Sequence, residues 1–178
     1  MGQVYFVRHG QTVWNVENKI CGVTDSPLTE LGHEQARLLG EKIREEGIRP
    51  DEILYSPLSR ARDTALEIAA VTGLPARKEP RLTEQCFGKW EGTPRDGQDF
   101  LKDKQNFAVD YDGGESMLRV CQRVYNLLDE LKADQEHTYL LVAHNGIARV
   151  VQSYFYNMTN QEYATFGVSN CAIVTYTF

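Results

Sequence analysis

The sequence predicts an α/β sandwich with a mostly parallel sheet. Three observations carry this. Short apolar runs rich in β-branched and aromatic residues occur at Val4–Val7, Glu52–Tyr55 and Tyr139–Ala143. Apolar stripes at a helical period lie between them. The two patterns alternate along the chain, as in sheets built from strand–helix–strand units. A length of 178 residues fits one domain spanning 1–178 with a sizeable core, and no linker, low-complexity run or internal repeat divides it.

Val4-Tyr5-Phe6-Val7 reads as a buried strand, and Arg8-His9-Gly10 comes directly after it. Ligands of α/β proteins bind at the carboxyl ends of the strands. Gly10 permits a sharp turn and a close backbone approach to a ligand. Arg8 offers a planar fork of donors for phosphate or carboxylate. His9 can act as nucleophile or general base near neutral pH. Leu31, Leu38, Leu39 and Ile43 then form a helical stripe expected to face the core, with Thr29 as its N-cap.

Glu52–Tyr55 is the second strand. Ser56 is expected to cap the next helix, with Pro57 at its first position and Arg60 in its first turn. A cation is misplaced at the positive end of the helix dipole. The expectation is an anion held jointly by Arg60 and the helix N-terminus. Arg62 lies on a different face and is expected to be solvated. Residues 92–114 form the longest loop-like stretch, carrying Pro94, Gly97 and Gly113. Phe100, Leu101, Phe107, Val109 and Tyr111 argue that it packs partly, folds over the site and sets substrate choice.

Met117, Cys121, Val124, Leu128 and Leu131 recur at a helical period and read as core. Tyr139–Ala143 is a third buried strand, and His144-Asn145-Gly146 succeeds it just as Arg8-His9-Gly10 succeeds the first. If these two strands are parallel neighbours, both imidazoles enter one crevice. His33 and His137 sit among polar residues and are expected to be exposed. Residues 170–178 are expected to form a closing strand.

The net charge of −6, with no basic block, argues against nucleic acid and anionic membranes as partners. Small phosphoesters in a basic pocket suit this balance better. No apolar stretch approaches the roughly 18 residues of a membrane helix, and no signal peptide is expected. Cys21, Cys86, Cys121 and Cys171 lack metal-ligand spacing and read as reduced thiols of a cytoplasmic protein. A metal, a cofactor and a catalytic cysteine are not expected.

Together these blocks resemble the histidine phosphatase superfamily in its phosphoglycerate-mutase-like branch. Val7-Arg8-His9-Gly10-Gln11-Thr12 with Trp14-Asn15 resembles the family signature, and Gly22 with Asp25 to Gly32 its next block. Ser56 to Ala65 resembles the block of the second phosphate-binding arginine. Leu82-Thr83-Glu84 with Phe87 to Gly92 resembles the block of the proton donor. Gly113 to Ser116 resembles the start of a later helix, and His144 the second histidine. The order and spacing match over almost the whole chain. One departure is Asn145, where the family has glycine after the second histidine.

The resemblance implies a three-layer, phosphoglycerate mutase-like sandwich. It implies that His9 is phosphorylated as the nucleophile, kept neutral by Arg8 and Arg60 and fixed in its tautomer by a backbone carbonyl. Arg8, Arg60 and His144 would hold the phosphoryl oxygens, with Asn15, Thr12, Gly22 and Asn145 in supporting contacts. Glu84 would protonate the leaving oxygen and later activate water, in a partly apolar surround for which Phe87, Trp90 and Cys86 are candidates. Glu91, the competing carboxylate, reads as structural. The family's mutases are longer, which favours water as acceptor, releasing inorganic phosphate. α-Ribazole 5′-phosphate, a sugar phosphate, a nucleotide monophosphate and a phosphoglycerate are equally consistent substrates. The alternatives are mutase-type transfer, a protein phosphatase with an open site, and a non-catalytic phospholigand-binding module. A homodimer is compatible with the sequence.

Overall fold

The computed structural model describes residues 2–178. The elements run β1 (Gln3–Arg8), α1 (Val13–Val16), α2 (Glu30–Glu45), β2 (Glu52–Tyr55), α3 (Ser59–Thr72), β3 (Ala76–Lys78), α4 (Gln98–Asp103), α5 (Met117–Ala133), β4 (Tyr139–Ala143), α6 (Asn145–Phe155), α7 (Asn160–Thr165) and β5 (Ile173–Thr177). Single 3₁₀ turns occur at Pro80–Leu82 and Gly88–Trp90.

The five strands form one sheet in the order β3-β2-β4-β1-β5. Pairing is parallel except for β5, which closes the sheet antiparallel to β1. The pleat sends alternate side chains to opposite faces. Val4, Phe6, Leu54, Leu141 and Ala143 pack against α5 and α6, and Val7, Ile53, Leu140 and Val142 pack against α2 and α3. The architecture is therefore three-layered, as expected. The strand interiors are apolar on both faces because both faces are covered.

Expectations about five residues need correction. Leu31 and Leu38 are exposed; α2 buries Gly32, Ala36, Leu39, Gly40 and Ile43 instead. Small residues let α2 lie close to α3, and that turns the larger leucines outward. Leu101 and Val109 are also exposed, whereas Phe100 and Tyr111 are buried with Ile20 and Phe87 in a separate apolar cluster. Ser56 does not cap α3, which begins at Ser59 after Leu58. Asp25 caps it from a distance: its carboxylate accepts the Ser59 N–H at 3.1 Å and the Ser59 hydroxyl at 2.8 Å. The anion at this helix end is thus the protein's own, 3.8 Å from Arg60.

Thr29 caps α2 through the Gly32 N–H. Met117, Val124, Leu128 and Leu131 are buried as the stripe predicts. Residues 92–95 are tied to 18–20 by main-chain bonds from Gly92 N to Ile20 O (2.9 Å) and from Ile20 N to Thr93 O (2.8 Å). Among the described residues, no helix is long and apolar enough to cross a membrane.

Candidate active site

The register of the parallel strands decides where the histidines meet. Arg8 lies opposite Ala143, so β1 and β4 end side by side. The His9 N–H donates to the Ala143 carbonyl (2.9 Å), and the Ser56 N–H at the end of β2 donates to that of Val142 (3.1 Å). His9, His144 and Ser56 therefore sit at one edge of the sheet. The two imidazole centroids are 5.3 Å apart. His33 and His137 are exposed and face Glu67 and Asp134.

The imidazoles are fixed in different ways. His9 Nδ1 lies 2.7 Å from the Gly10 carbonyl oxygen. A carbonyl only accepts, so Nδ1 carries the proton and Nε2 keeps its lone pair. His144 Nε2 lies 2.7 Å from Ser56 Oγ. Ser56 therefore holds the second imidazole rather than a helix end. Burial, then the charges of Arg60 and Arg8, push the His9 imidazolium well below its ordinary range. Burial, then Arg60, does the same to His144. Both rings are neutral near pH 7.

Gly10 is required for a different reason than expected. A Cβ there would lie 2.4 Å from the Gly32 carbonyl oxygen, so it is α2 and not a ligand that approaches. Its N–H donates to Thr64 Oγ1 (3.0 Å), which ties this turn to α3.

Arg60 is fully buried. Its terminal nitrogens donate to the carbonyls of Thr24 (3.1 Å), Cys21 (3.3 Å) and Gly22 (2.6 Å). The Gly22 and Val23 N–H groups go to the Glu91 carboxylate at 3.0 Å each, and the Phe87 N–H reaches the same group at 3.2 Å. Glu91 is structural, as expected. Gly22 is placed differently from the expectation: its amide is already used, so it supports Arg60 instead of offering a free donor. Arg8 Nη1 donates to the Val168 carbonyl (2.8 Å). Among the described residues, the buried side-chain nitrogens without a partner are Arg8 Nε, Arg60 Nε and His144 Nδ1. Such groups are rare in folded proteins and call for an explanation.

Thr12 is wholly buried and caps α1, exchanging bonds with Asn15 in a capping box. It orders the site without reaching the cleft. Asn15 lines the cleft; its Oδ1 accepts from Thr12 N (3.1 Å) and from Asn170 Nδ2 (3.3 Å), so its amide NH2 remains as donor. Asn170, which no sequence motif marks, also donates to the His9 carbonyl (2.8 Å). Asn145 Oδ1 accepts the Val168 N–H (2.8 Å), so the departure from glycine pins the loop that holds Arg8.

Glu84 is buried at the start of α6. Its carboxylate accepts the Gln85 N–H (2.8 Å) and the Gly146 N–H (3.0 Å). Phe87 lies beside it on the cleft wall, whereas the Trp90 indole turns away to Asp103 (3.0 Å). The cleft holds about 120 Å³, and Arg8, His9, Asn15, Glu84, Asn145 and Gly146 form one side of it. Arg95, Phe100 and Lys104 from residues 92–114 form another, so that stretch does border the site. Arg149 also lines it, one helical turn beyond Asn145 on α6. Among the described residues, no group of three or more His, Cys, Asp or Glu side chains is placed to hold a metal ion.

Comparison with known proteins agrees with this geometry. The chain is 39% identical over 154 residues to the probable phosphoglycerate mutase GpmB of Yersinia pestis (strain Pestoides F), covering 81% of this chain and 70% of that protein. A mycobacterial glucosyl-3-phosphoglycerate phosphatase superposes with a TM-score of 0.84 at 29% identity, over 98% of this chain and 89% of the other. The α-ribazole phosphatase of Shigella flexneri does so with a TM-score of 0.81 at 26% identity, over 97% and 89%. Residues 4–178 match the model of the histidine phosphatase superfamily (branch 1), and the chain belongs to that family.

Proposed function

We propose that this chain is a metal-independent phosphomonoesterase acting on a small phosphorylated metabolite through phospho-His9. The observation that carries this reading is the trio of unpartnered buried side-chain nitrogens. They belong to Arg8, Arg60 and His144, near a neutral His9 whose Nε2 lone pair is free; the two guanidinium nitrogens are N–H donors, and His144 Nδ1 is a donor when the Ser56 hydroxyl donates to Nε2. A phosphoryl group, with its charge spread over three oxygens, is the ligand such donors suit.

His9 Nε2 attacks phosphorus as the ester P–O bond breaks. Arg8, Arg60, His144 Nδ1 and the Asn15 amide hold the phosphoryl oxygens. Protonated Glu84 gives its proton to the leaving alcohol oxygen. Glu84, now a carboxylate, takes a proton from water as that water attacks the phosphohistidine. The products are an alcohol and inorganic phosphate, with His9 neutral again. Charge neutralisation comes from cationic side chains, so the step needs no metal. A cleft of about 120 Å³, below the ~300 Å³ typical of drug-sized ligands, suits a compact substrate. The four free cysteines support a cytoplasmic setting.

A second reading, mutase-type transfer between positions of a phosphoglycerate, is favoured by the 39% identity to a probable phosphoglycerate mutase. One experiment separates them. Purified protein in EDTA is given p-nitrophenyl phosphate, α-ribazole 5′-phosphate, sugar phosphates, nucleotides and both phosphoglycerates, with His9→Ala as control. The expected result is phosphate release that disappears in the control. Interconversion of the phosphoglycerates without release would establish the mutase, and neither would overturn both.

A further inference from the structure

The pairing of β1 with β5 stops at the active site. It runs from Gln3 opposite Thr177 to Val7 opposite Ile173. The next pair in register would set Arg8 opposite Ala172. Instead the Cys171 N–H donates to the Arg8 carbonyl (2.9 Å), and the Ala172 N–H turns back to the Ser169 carbonyl (3.1 Å). Residues 169–172 thus form a tight turn, with Cys171, its third residue, at a φ of 55°. Type II turns have a positive φ at that position and favour glycine there. A larger residue held in the left-handed region marks a place where the surroundings dictate the backbone, as at functional sites. Breaks in a ladder re-aim a side chain, and the side chain re-aimed here is that of Asn170.

Asn170 is half-buried, and its Nδ2 faces two oxygens: the His9 carbonyl at 2.8 Å and Asn15 Oδ1 at 3.3 Å. Both only accept, so the NH2 end of the amide lies there, with one hydrogen for each. The first bond completes a grip on the peptide unit that joins His9 to Gly10. Its C=O is held by Asn170 and its N–H by Thr64 Oγ1 (3.0 Å). The Gly10 carbonyl that fixes His9 Nδ1 is the next one along, so the imidazole turns with this unit. The second bond joins that of the Thr12 N–H on Asn15 Oδ1 (3.1 Å). With two donors on its oxygen, a flip of the Asn15 amide would set donor against donor. Its NH2 therefore stays available to the cleft that Asn15 lines.

The geometry points to Asn170 as a positioning residue with two arms: one sets the main chain of the His9 nucleophile, and the other aims the Asn15 amide at the phosphoryl group. The inference rests on the phosphomonoesterase reading. Asn170 does not line the cleft and acts through the two residues it holds. Without it, β4 still holds the His9 N–H through the Ala143 carbonyl, and Thr12 still holds Asn15, but each residue keeps one anchor in place of two. One side chain from the last turn before β5 thereby couples the nucleophile to a phosphate ligand from α1.

The test is a double-mutant cycle of Asn170→Ala and Asn15→Ala, read by calorimetric binding of inorganic phosphate and by kcat on p-nitrophenyl phosphate. Asn170→Ala should weaken phosphate binding by about fivefold when Asn15 is present, and by less than about twofold in the Asn15→Ala background. A merely structural role would weaken binding equally in both. The His9 arm is independent of Asn15, so Asn170→Ala should lower kcat by about tenfold or more in either background. Melting temperatures check the fold; if Asn170→Ala does not fold, Asn170→Ser, which keeps a shorter donor, carries the same cycle. Equal losses of phosphate affinity in the two backgrounds would overturn the inference, as would unchanged Kd and kcat in a folded variant. Calorimetry reads the Asn15 arm even if no ester is hydrolysed. A protein that binds phosphate and shows the coupling without turnover therefore refutes the phosphatase reading alone, whereas turnover without coupling refutes this inference alone. A protein that neither binds phosphate nor releases it overturns both.

Discussion

Gly146→Ala is the substitution that best isolates the proposed acid. Gly146 lies in the first turn of α6, and a Cβ built on it would stand 2.3 Å from Glu84 Oε1 and 3.0 Å from Glu84 Cδ. Ordinary contact requires the carboxylate to retreat by about 1 Å. That retreat breaks the 3.0 Å bond from the Gly146 N–H and takes the acid off line. A misplacement of this size costs on the order of 100-fold in rate. The fold should survive: alanine in place of glycine favours the helix by about 1 kcal/mol, which offsets much of the lost hydrogen bond. Melting should therefore move by no more than a few degrees. The assay is kcat on an alkyl phosphate, whose leaving oxygen needs a proton, beside p-nitrophenyl phosphate, which needs little protonation. The expected result is a far larger loss on the alkyl ester. Equal losses on both esters, or full activity in a well-folded protein, would refute the assignment of Glu84.

The geometry sets four further outcomes. His9 and His144 are both held well below the ordinary histidine range, so the unfolded chain binds protons the folded one refuses. Their contribution is intact above about pH 6.5 and is lost as pH falls, by up to about 1.4 kcal/mol per pH unit for each ring. Urea unfolding between pH 7.5 and 5.5 measures it, and His144→Gln should flatten the slope. Asn145→Gly removes the acceptor of the Val168 N–H; it should cost about 0.5–1.5 kcal/mol and weaken calorimetric binding of inorganic phosphate by loosening Arg8. Burial, then Arg149, pushes the Lys104 ammonium down to about 8, with Glu84 opposing. Calorimetric binding of inorganic phosphate in the cleft that Lys104 lines should therefore weaken as pH rises through about 8, and the midpoint should move up in Arg149→Met. Glu91→Ala leaves the Gly22, Val23 and Phe87 amides without their acceptor; at about 1–3 kcal/mol for each buried one, melting should fall by more than 5 °C or so.

The sequence by itself determined the strands, the helices between them and the pairing of a histidine with the end of each of two strands. Those are local facts, set by the period of apolar residues and by the residues immediately after Val7 and Ala143. Parallel pairing of β1 with β4 then places His9 beside His144, because Arg8 and Ala143 share a register. Only the tertiary structure decided who holds whom. Ser56 has the sequence context of a helix cap, yet it bonds His144, and the cap of α3 comes from Asp25, thirty-four residues earlier. Gly22 has the place of a phosphate-binding amide, yet Glu91 takes it. Asn170, Lys104 and Arg149 carry no motif, and each is fixed at the site by bonds to distant main chain: Asn170 to the His9 carbonyl, Lys104 and Arg149 to the carbonyls of Ala164 and Phe166. The physical reason is one of range. Periodicity and capping propensity act over a few residues, whereas the satisfaction of a buried donor is settled by whichever acceptor the packed chain brings within 3 Å or so.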